Sequence, residues 1–176
     1  MKNFIKYFLI FAAVTSVIGY VMIAVESDDA ALNRRIESNT EAGNKATSLV
    51  ELNKVMNEFD SIKAYYPDYA PSVDSVINAN FNSWTEKVAK AEHDNMIRDA
   101  YYIAVEHIRK SLKNPSSGKF PAFLSSESNC WEEGGKIIAQ FWGEGTNAFN
   151  AVVRNNYQVT MTYGANGYTI IDATSY

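Results

Sequence analysis

The spacing of apolar residues changes character twice along this chain. From Tyr7 to Val25 there is no period: YFLIFAAVTSVIGYVMIAV runs for nineteen residues without a charge. At 1.5 Å per residue such a helix is close to the ~30 Å hydrocarbon core of a bilayer. A helix apolar on every side also has no aqueous face to turn outward. The pattern predicts a transmembrane helix over 7–25. Lys2 and Lys6 precede it, whereas Glu26, Asp28 and Asp29 follow it. The expected orientation is therefore N-in, with residues 1–6 cytoplasmic and the rest beyond the inner (plasma) membrane. A cleaved signal peptide is the alternative. It calls for a shorter apolar core, about 7 to 15 residues, and a small-x-small cleavage site; here Met22 stands two positions before Ala24.

Beyond the apolar run the spacing becomes helical. Residues 27–63 hold no proline and one glycine, Gly43, which predicts one helix. Leu49, Leu52, Met56, Phe59 and Ile62 recur every three or four positions as a narrow stripe. Asn39 and Gly43 interrupt the stripe in the earlier half, leaving too few heptads for a long coiled coil. Tyr65-Tyr66-Pro67-Asp68-Tyr69-Ala70-Pro71 predicts a turn, because proline lacks an N–H and disfavours helical geometry in the residue before it. Its three tyrosines are either a binding surface or rings packed over helix ends. Ser72 is expected to cap a second helix, 72–93, carrying Val73, Ile77, Phe81, Trp84 and Val88. A further helix over 95–113 carries Ile97, Tyr101, Val105, Ile108 and Leu112 and ends at Asn114-Pro115. The pattern leaves open whether these last two are one helix or two.

After Pro115 the period becomes two. Tyr157, Val159, Met161 and Tyr163 alternate with Asn156, Gln158, Thr160 and Thr162, the signature of a half-buried strand. Asn166-Gly167 predicts a type I′ hairpin, with Tyr168 to Ala173 as the returning strand. Gly134-Gly135 predicts a second turn, between Asn129–Glu132 and Lys136–Trp142. The expected fold class is α+β: a transmembrane helix, a helical spacer over 26–93, and an extracytoplasmic domain over 95–176. In that domain a helix packs on a four-stranded antiparallel meander.

Composition narrows the classes of function. The net charge is −4 and the pI is near 5.2. Arg34-Arg35 and Arg109-Lys110 are the only adjacent basic pairs, so no positive field gathers nucleic acid. Cys130 is the single cysteine, which rules out an internal disulfide. Burial as a small apolar residue is expected of it, with pairing to another chain as the alternative.

No catalytic, cofactor-binding or metal-binding residue is expected. His93 and His107 lie fourteen residues apart, about four helical turns, too far to share an ion. Gly143-Glu144-Gly145 lacks the third glycine of a dinucleotide fingerprint, and no phosphate-binding loop spacing occurs. A Cys130–histidine nucleophile is opposed by Glu132 and Glu133, whose charges raise a thiol pKa. A carboxylate pair could be drawn from Glu132, Glu133, Glu144 and Asp172, as from any acidic domain. Glu132-Glu133 before Gly134-Gly135 reads more simply as a charged hairpin tip that discourages edge aggregation.

One pattern is more specific. Leu112-Lys113-Asn114-Pro115-Ser116-Ser117-Gly118-Lys119-Phe120-Pro121, followed by Gly143-Glu144-Gly145-Thr146-Asn147-Ala148-Phe149-Asn150 and Arg154, resembles a module of small bacterial and phage proteins that are often lipoproteins or membrane-anchored. That module reads approximately L-K-x-P-S-x-A-x-F-P, then a glycine-led strand, N-x-F-G and an arginine before the last long strand. Gly118 stands here in place of the alanine and Asn150 in place of the glycine after Phe149. The resemblance covers about the last seventy residues. It implies an α+β module outside the membrane and brings no catalytic residues. Asn147 and Arg154 read as turn and strand residues hydrogen-bonding loop carbonyls.

These observations together predict a single-pass envelope protein, anchored through Tyr7 to Val25, with a non-enzymatic protein-interaction domain outside the cytoplasm. The expected partners are the membrane and another protein, without cofactor or nucleic acid. A small envelope hydrolase and a structural spacer self-associating through Leu49 to Ile62 are the competing expectations.

Overall fold

The computed structural model of the chain describes residues 29–146, 149 and 151–176. The segment Tyr7 to Val25 lies outside the described residues, and among those no helix is long and apolar enough to cross a membrane. The fold is α+β, with a long helix packed on a four-stranded antiparallel sheet. Two compact units divide the chain, one ending at Ala89 and the other starting at Lys90.

The first unit is helical. Helix α1 covers 29–45 and α2 covers Leu49–Tyr65. The single helix expected over 27–63 is thus broken at 46–48, and Ser48 explains the break. Its side chain accepts from the Glu51 N–H, while the Glu51 carboxylate accepts from the Thr47 N–H at 2.8 Å. That is a capping arrangement of the S-x-x-E kind, and it starts a new helix. The two residues that interrupted the apolar stripe prove to be contact points. Buried Asn39 donates to the Val55 carbonyl at 2.9 Å, and Gly43 lies flat against the Trp84 ring. The stripe itself shifts: Leu52, Val55, Phe59 and Ile62 are buried, whereas Leu49 is 54% exposed. This side of α2 packs with Leu32, Val73, Trp84 and Val88, so it is internal to the unit. At the tyrosine turn, a short 3-10 helix over Pro67–Tyr69, Tyr69 packs on that core and donates to Asp29, while Tyr65 and Tyr66 are exposed.

Helix α3 runs unbroken over Ala70–Ser111. The helices expected over 72–93 and 95–113 are one, since no proline or glycine separates them, and Pro71 falls in the first turn, where its missing N–H matters least. Ser72 is accordingly inside the helix and does not cap it. Val73, Trp84 and Val88 on α3 serve the first core; Phe81 is 42% exposed.

The second unit is the sheet with the last turns of α3. Strands β1 (Ser128–Glu133), β2 (Lys136–Thr146), β3 (Val152–Gly164) and β4 (Gly167–Ser175) are antiparallel neighbours in sequence order. Cys130, Ile137, Ala139, Phe141, Val159 and Met161 cover Ile97, Ala100, Tyr101, Ala104, Val105 and Ile108 of α3. The alternation read for β3 holds at Val159 and Met161, while Tyr157 is partly buried and Tyr163 at the strand end is exposed. Turn chemistry differs from expectation. Gly134 and Gly135 both have positive φ, +58° and +74°, as a type I′ turn requires. Gly164 pairs with Gly167, so the two loop residues are Ala165 and Asn166, neither of which has positive φ. Gly167, at φ +84°, follows them as the first residue of β4, and the pairing runs on in register from Gly164–Gly167 to Met161–Ile170, with a shift only between Thr160 and Met161.

Candidate functional site

The second unit explains why the two separated parts of the quoted pattern belong together. Lys119 and Glu144 form an antiparallel bridge, with N···O distances of 2.8 and 2.9 Å. The Ser117 hydroxyl accepts from the Thr146 N–H at 2.9 Å. A Cβ on Gly143 would stand 2.8 Å from both the Phe120 and Tyr157 rings, and one on Gly145 would stand 3.1 Å from Leu112. The strand is glycine-rich because Phe120 and Leu112 lie directly on its backbone. Arg109 completes the lock: it donates to the Gly118 carbonyl at 2.9 Å and lies 4.7 Å from the Phe120 ring centre. These contacts hold the segment against β2, and a small cleft of about 220 Å³ lined by Leu112, Gly145, Thr146 and Tyr157 lies beside them.

A larger opening lies elsewhere in the same unit. A cleft of about 680 Å³ is lined by His93, Asp94 and Ile97 of α3, by Phe123 and Leu124 of the preceding loop, and by Cys130, Trp131, Glu132 and Gly134 of β1 and its turn. No β2 residue lines it. It therefore runs along the outer side of β1, which is an edge strand of the sheet. Its loop wall is anchored from below: Tyr101 donates to the Pro121 carbonyl at 2.6 Å, and Ser128 to the Ala122 carbonyl at 2.8 Å. The Tyr101 ring packs on Phe123 and Phe141.

Leu124 stands apart in this wall. It is the sole non-glycine with positive φ among the described residues, at +60°, and it is 76% exposed. Left-handed backbone costs an ordinary residue about 1–2 kcal/mol. A strained leucine held out into water beside an open cleft is the kind of outlier that points to a surface kept for use.

The polar end of the cleft brings together residues far apart in sequence. His93 Nε2 lies 3.1 Å from Glu132 Oε2. The Asp94 carboxylate, which lines the same cleft, makes no hydrogen bond or ion pair with another described side chain or backbone group. Cys130 lies further along and is buried, as expected of it. Its thiol donates to the Ile97 carbonyl at 3.5 Å, and burial pushes its pKa up to about 11. A thiol so placed stays protonated at neutral pH, which opposes its use as a nucleophile although a histidine lines the same cleft.

The other candidates are dispersed. Of the four carboxylates considered for paired catalysis, only Glu132 lines the cleft. Glu133 accepts from the Trp131 indole at 3.3 Å, Glu144 pairs with Lys119, and Asp172 lies opposite Thr160 on β4. His107 is exposed on α3. Among the described residues no three histidine, cysteine or acidic side chains converge as a metal site. Among the described residues Arg154 meets no loop carbonyl. It pairs with Glu127 at 3.0 Å and lies 3.9 Å above the Trp142 ring. The Trp142 indole and the Arg154 guanidinium hold the Glu127 carboxyl below the usual range. Trp142 Nε1 is itself buried and meets no hydrogen-bond partner of good geometry among the described residues. Asn147 lies outside the described residues.

Sequence reasoning passed over Asp94, Phe123 and Leu124. No local pattern marks them, because the cleft exists only where α3, the loop and β1 meet. Comparison with family models, with curated proteins and with solved structures yields no match.

Proposed function

We propose that this chain is a single-pass, membrane-anchored envelope protein. It is held through Tyr7 to Val25 with its N-terminus in the cytoplasm, and its second unit, 90–176, captures a protein partner in the cleft beside β1. The observation that carries the reading is Leu124: a strained, largely exposed leucine on the rim of an open cleft with an apolar floor. Burying such a side chain against a partner gains about 1.5–3 kcal/mol, which free solvent leaves unrealised. The protonated Cys130 thiol and the scattered carboxylates favour binding over catalysis. The uniform apolarity of 7–25 and the resemblance of the last seventy residues to modules of anchored proteins support the location.

A photo-crosslinking residue at position 124, compared with one at exposed Tyr163 in the same full-length chain in intact cells, tests the proposal. The expected result is one discrete protein adduct from position 124 and none from position 163. Equal, diffuse labelling from both positions would remove the cleft as the binding site. Protease protection of 27–176 in spheroplasts would overturn the orientation.

A further inference from the structure

We infer that the occupant of the cleft is an extended protein segment that pairs with the outer edge of β1 and presents a lysine or arginine to Asp94 and Glu132; this rests on the cleft being a protein-binding site. The edge follows from the turn. In a two-residue hairpin the closing pair, here Glu133 and Lys136, is of the hydrogen-bonded kind. Antiparallel pairs alternate between bonded and non-bonded, so Ser128, Cys130 and Glu132 turn their backbone N–H and C=O away from β2. Ser128 supports this assignment, because its N–H goes to the Ser125 carbonyl. The outward groups of Cys130 and Glu132 have no backbone partner among the described residues. They form a short vacant ladder along the cleft, the template that strand addition uses.

The side-chain specificity follows from the period of two. Cys130 and Glu132 point to the same side of β1, where α3 lies, and residues two apart on an added strand do likewise. The Glu132 end of the track is acidic, with Asp94 unengaged by any described residue and Glu132 held by His93. The Cys130 end is apolar, flanked by Ile97 and Phe123. A segment complementary to both ends carries a basic residue and an aliphatic residue two positions apart. Charge complementarity selects the cation, because an anion there meets two carboxylates.

The test uses the full-length chain in detergent micelles and short fluorescent peptides of alternating threonine and valine. The peptides carry Arg-x-Leu, Gln-x-Leu or Glu-x-Leu, each also in reversed order, and binding is read by anisotropy. The expected result is binding of one arginine order at least about tenfold tighter than its glutamine counterpart. N-methylation of the peptide amides that face β1 should abolish it, and Asp94→Asn with Glu132→Gln should erase the preference. Asp94→Arg should transfer the preference to the glutamate peptide. Equal binding of all three peptides, weakened equally by Leu124→Asp, would overturn the cationic specificity and leave the cleft intact as a protein site. Binding that N-methylation does not change would overturn strand addition. Absence of binding, or binding indifferent to Leu124→Asp, would remove both this inference and the proposed function. The peptide substitutions keep the outcome independent of how any protein variant folds.

Discussion

Replacing Gly43 by alanine sets two effects of opposite sign against each other, and the structure decides between them. Gly43 lies inside α1, where alanine is favoured over glycine by roughly 0.8–1.0 kcal/mol. Without the tertiary structure the substitution reads as stabilising. A Cβ at this position, however, would stand 2.6 Å from Trp84 Cε2, 2.7 Å from Cζ2 and 2.9 Å from Cδ2. Favourable carbon–carbon separation is about 3.5–4.0 Å, so the ring or the helix must give way by about 1 Å. Trp84 has little freedom to do so. It is 1% exposed, its indole donates to Asn44 Oδ1 at 2.8 Å, and it stacks on Phe59 with ring centres 6.1 Å apart. Overpacking of this kind costs about 1–3 kcal/mol, and straining a partly buried hydrogen bond adds about 1 kcal/mol. After subtracting the helix gain, Gly43→Ala is expected to destabilise the first unit by about 1–3 kcal/mol. Urea unfolding followed by far-ultraviolet circular dichroism measures it. A second measurement in a Trp84→Leu background should show a smaller loss, because the obstructing ring is gone. A Gly43→Ala protein as stable as the parent, or a loss unchanged by Trp84→Leu, would refute the packing argument.

Three further predictions concern the second unit. Leu124→Asn relieves about 1–2 kcal/mol of left-handed strain and, with only a quarter of the leucine surface covered, forfeits about 0.5 kcal/mol of burial, so thermal unfolding should shift upward; a downward shift would contradict the strain assignment. Gly143→Ala should destabilise by about 1–3 kcal/mol in urea, because both Phe120 and Tyr157 stand 2.8 Å from the new methyl group; unchanged stability would mean that Phe120 does not rest on the strand. Cys130 ties stability to alkaline pH: its pKa is raised from 9.0 to about 11, so the folded state holds a proton that the unfolded state releases. Its contribution is complete below pH 9 and is lost as pH rises through about 11. Because other groups titrate there too, the measurement is the difference between parent and Cys130→Ala, with the parent expected to lose about 2–3 kcal/mol more. Parallel pH curves would reject the burial effect.

The sequence by itself determined what depends on neighbours in the chain. Alternation from Tyr157 to Tyr163, the glycine pair at 134–135 and the proline-rich turn before α3 each specify local backbone, and the meander follows from them. The uniform apolarity of 7–25 is equally local and is what the proposal of a membrane segment there rests on. The break at 46–48 was also readable, since Ser48 and Glu51 form a capping pair, but the absence of proline over 27–63 concealed it. Only the tertiary structure decided that Gly43 and Asn39 are contacts rather than gaps, because Trp84 lies 41 residues from the former. It likewise decided that His93 meets Glu132, 39 residues away, and that Leu124 is held at φ +60° over a cleft. Periodicity states which side of an element is apolar and is silent about what faces it. A cleft belongs to no element: it is the space left where α3, a loop and an edge strand are held apart by the side chains packed beneath them.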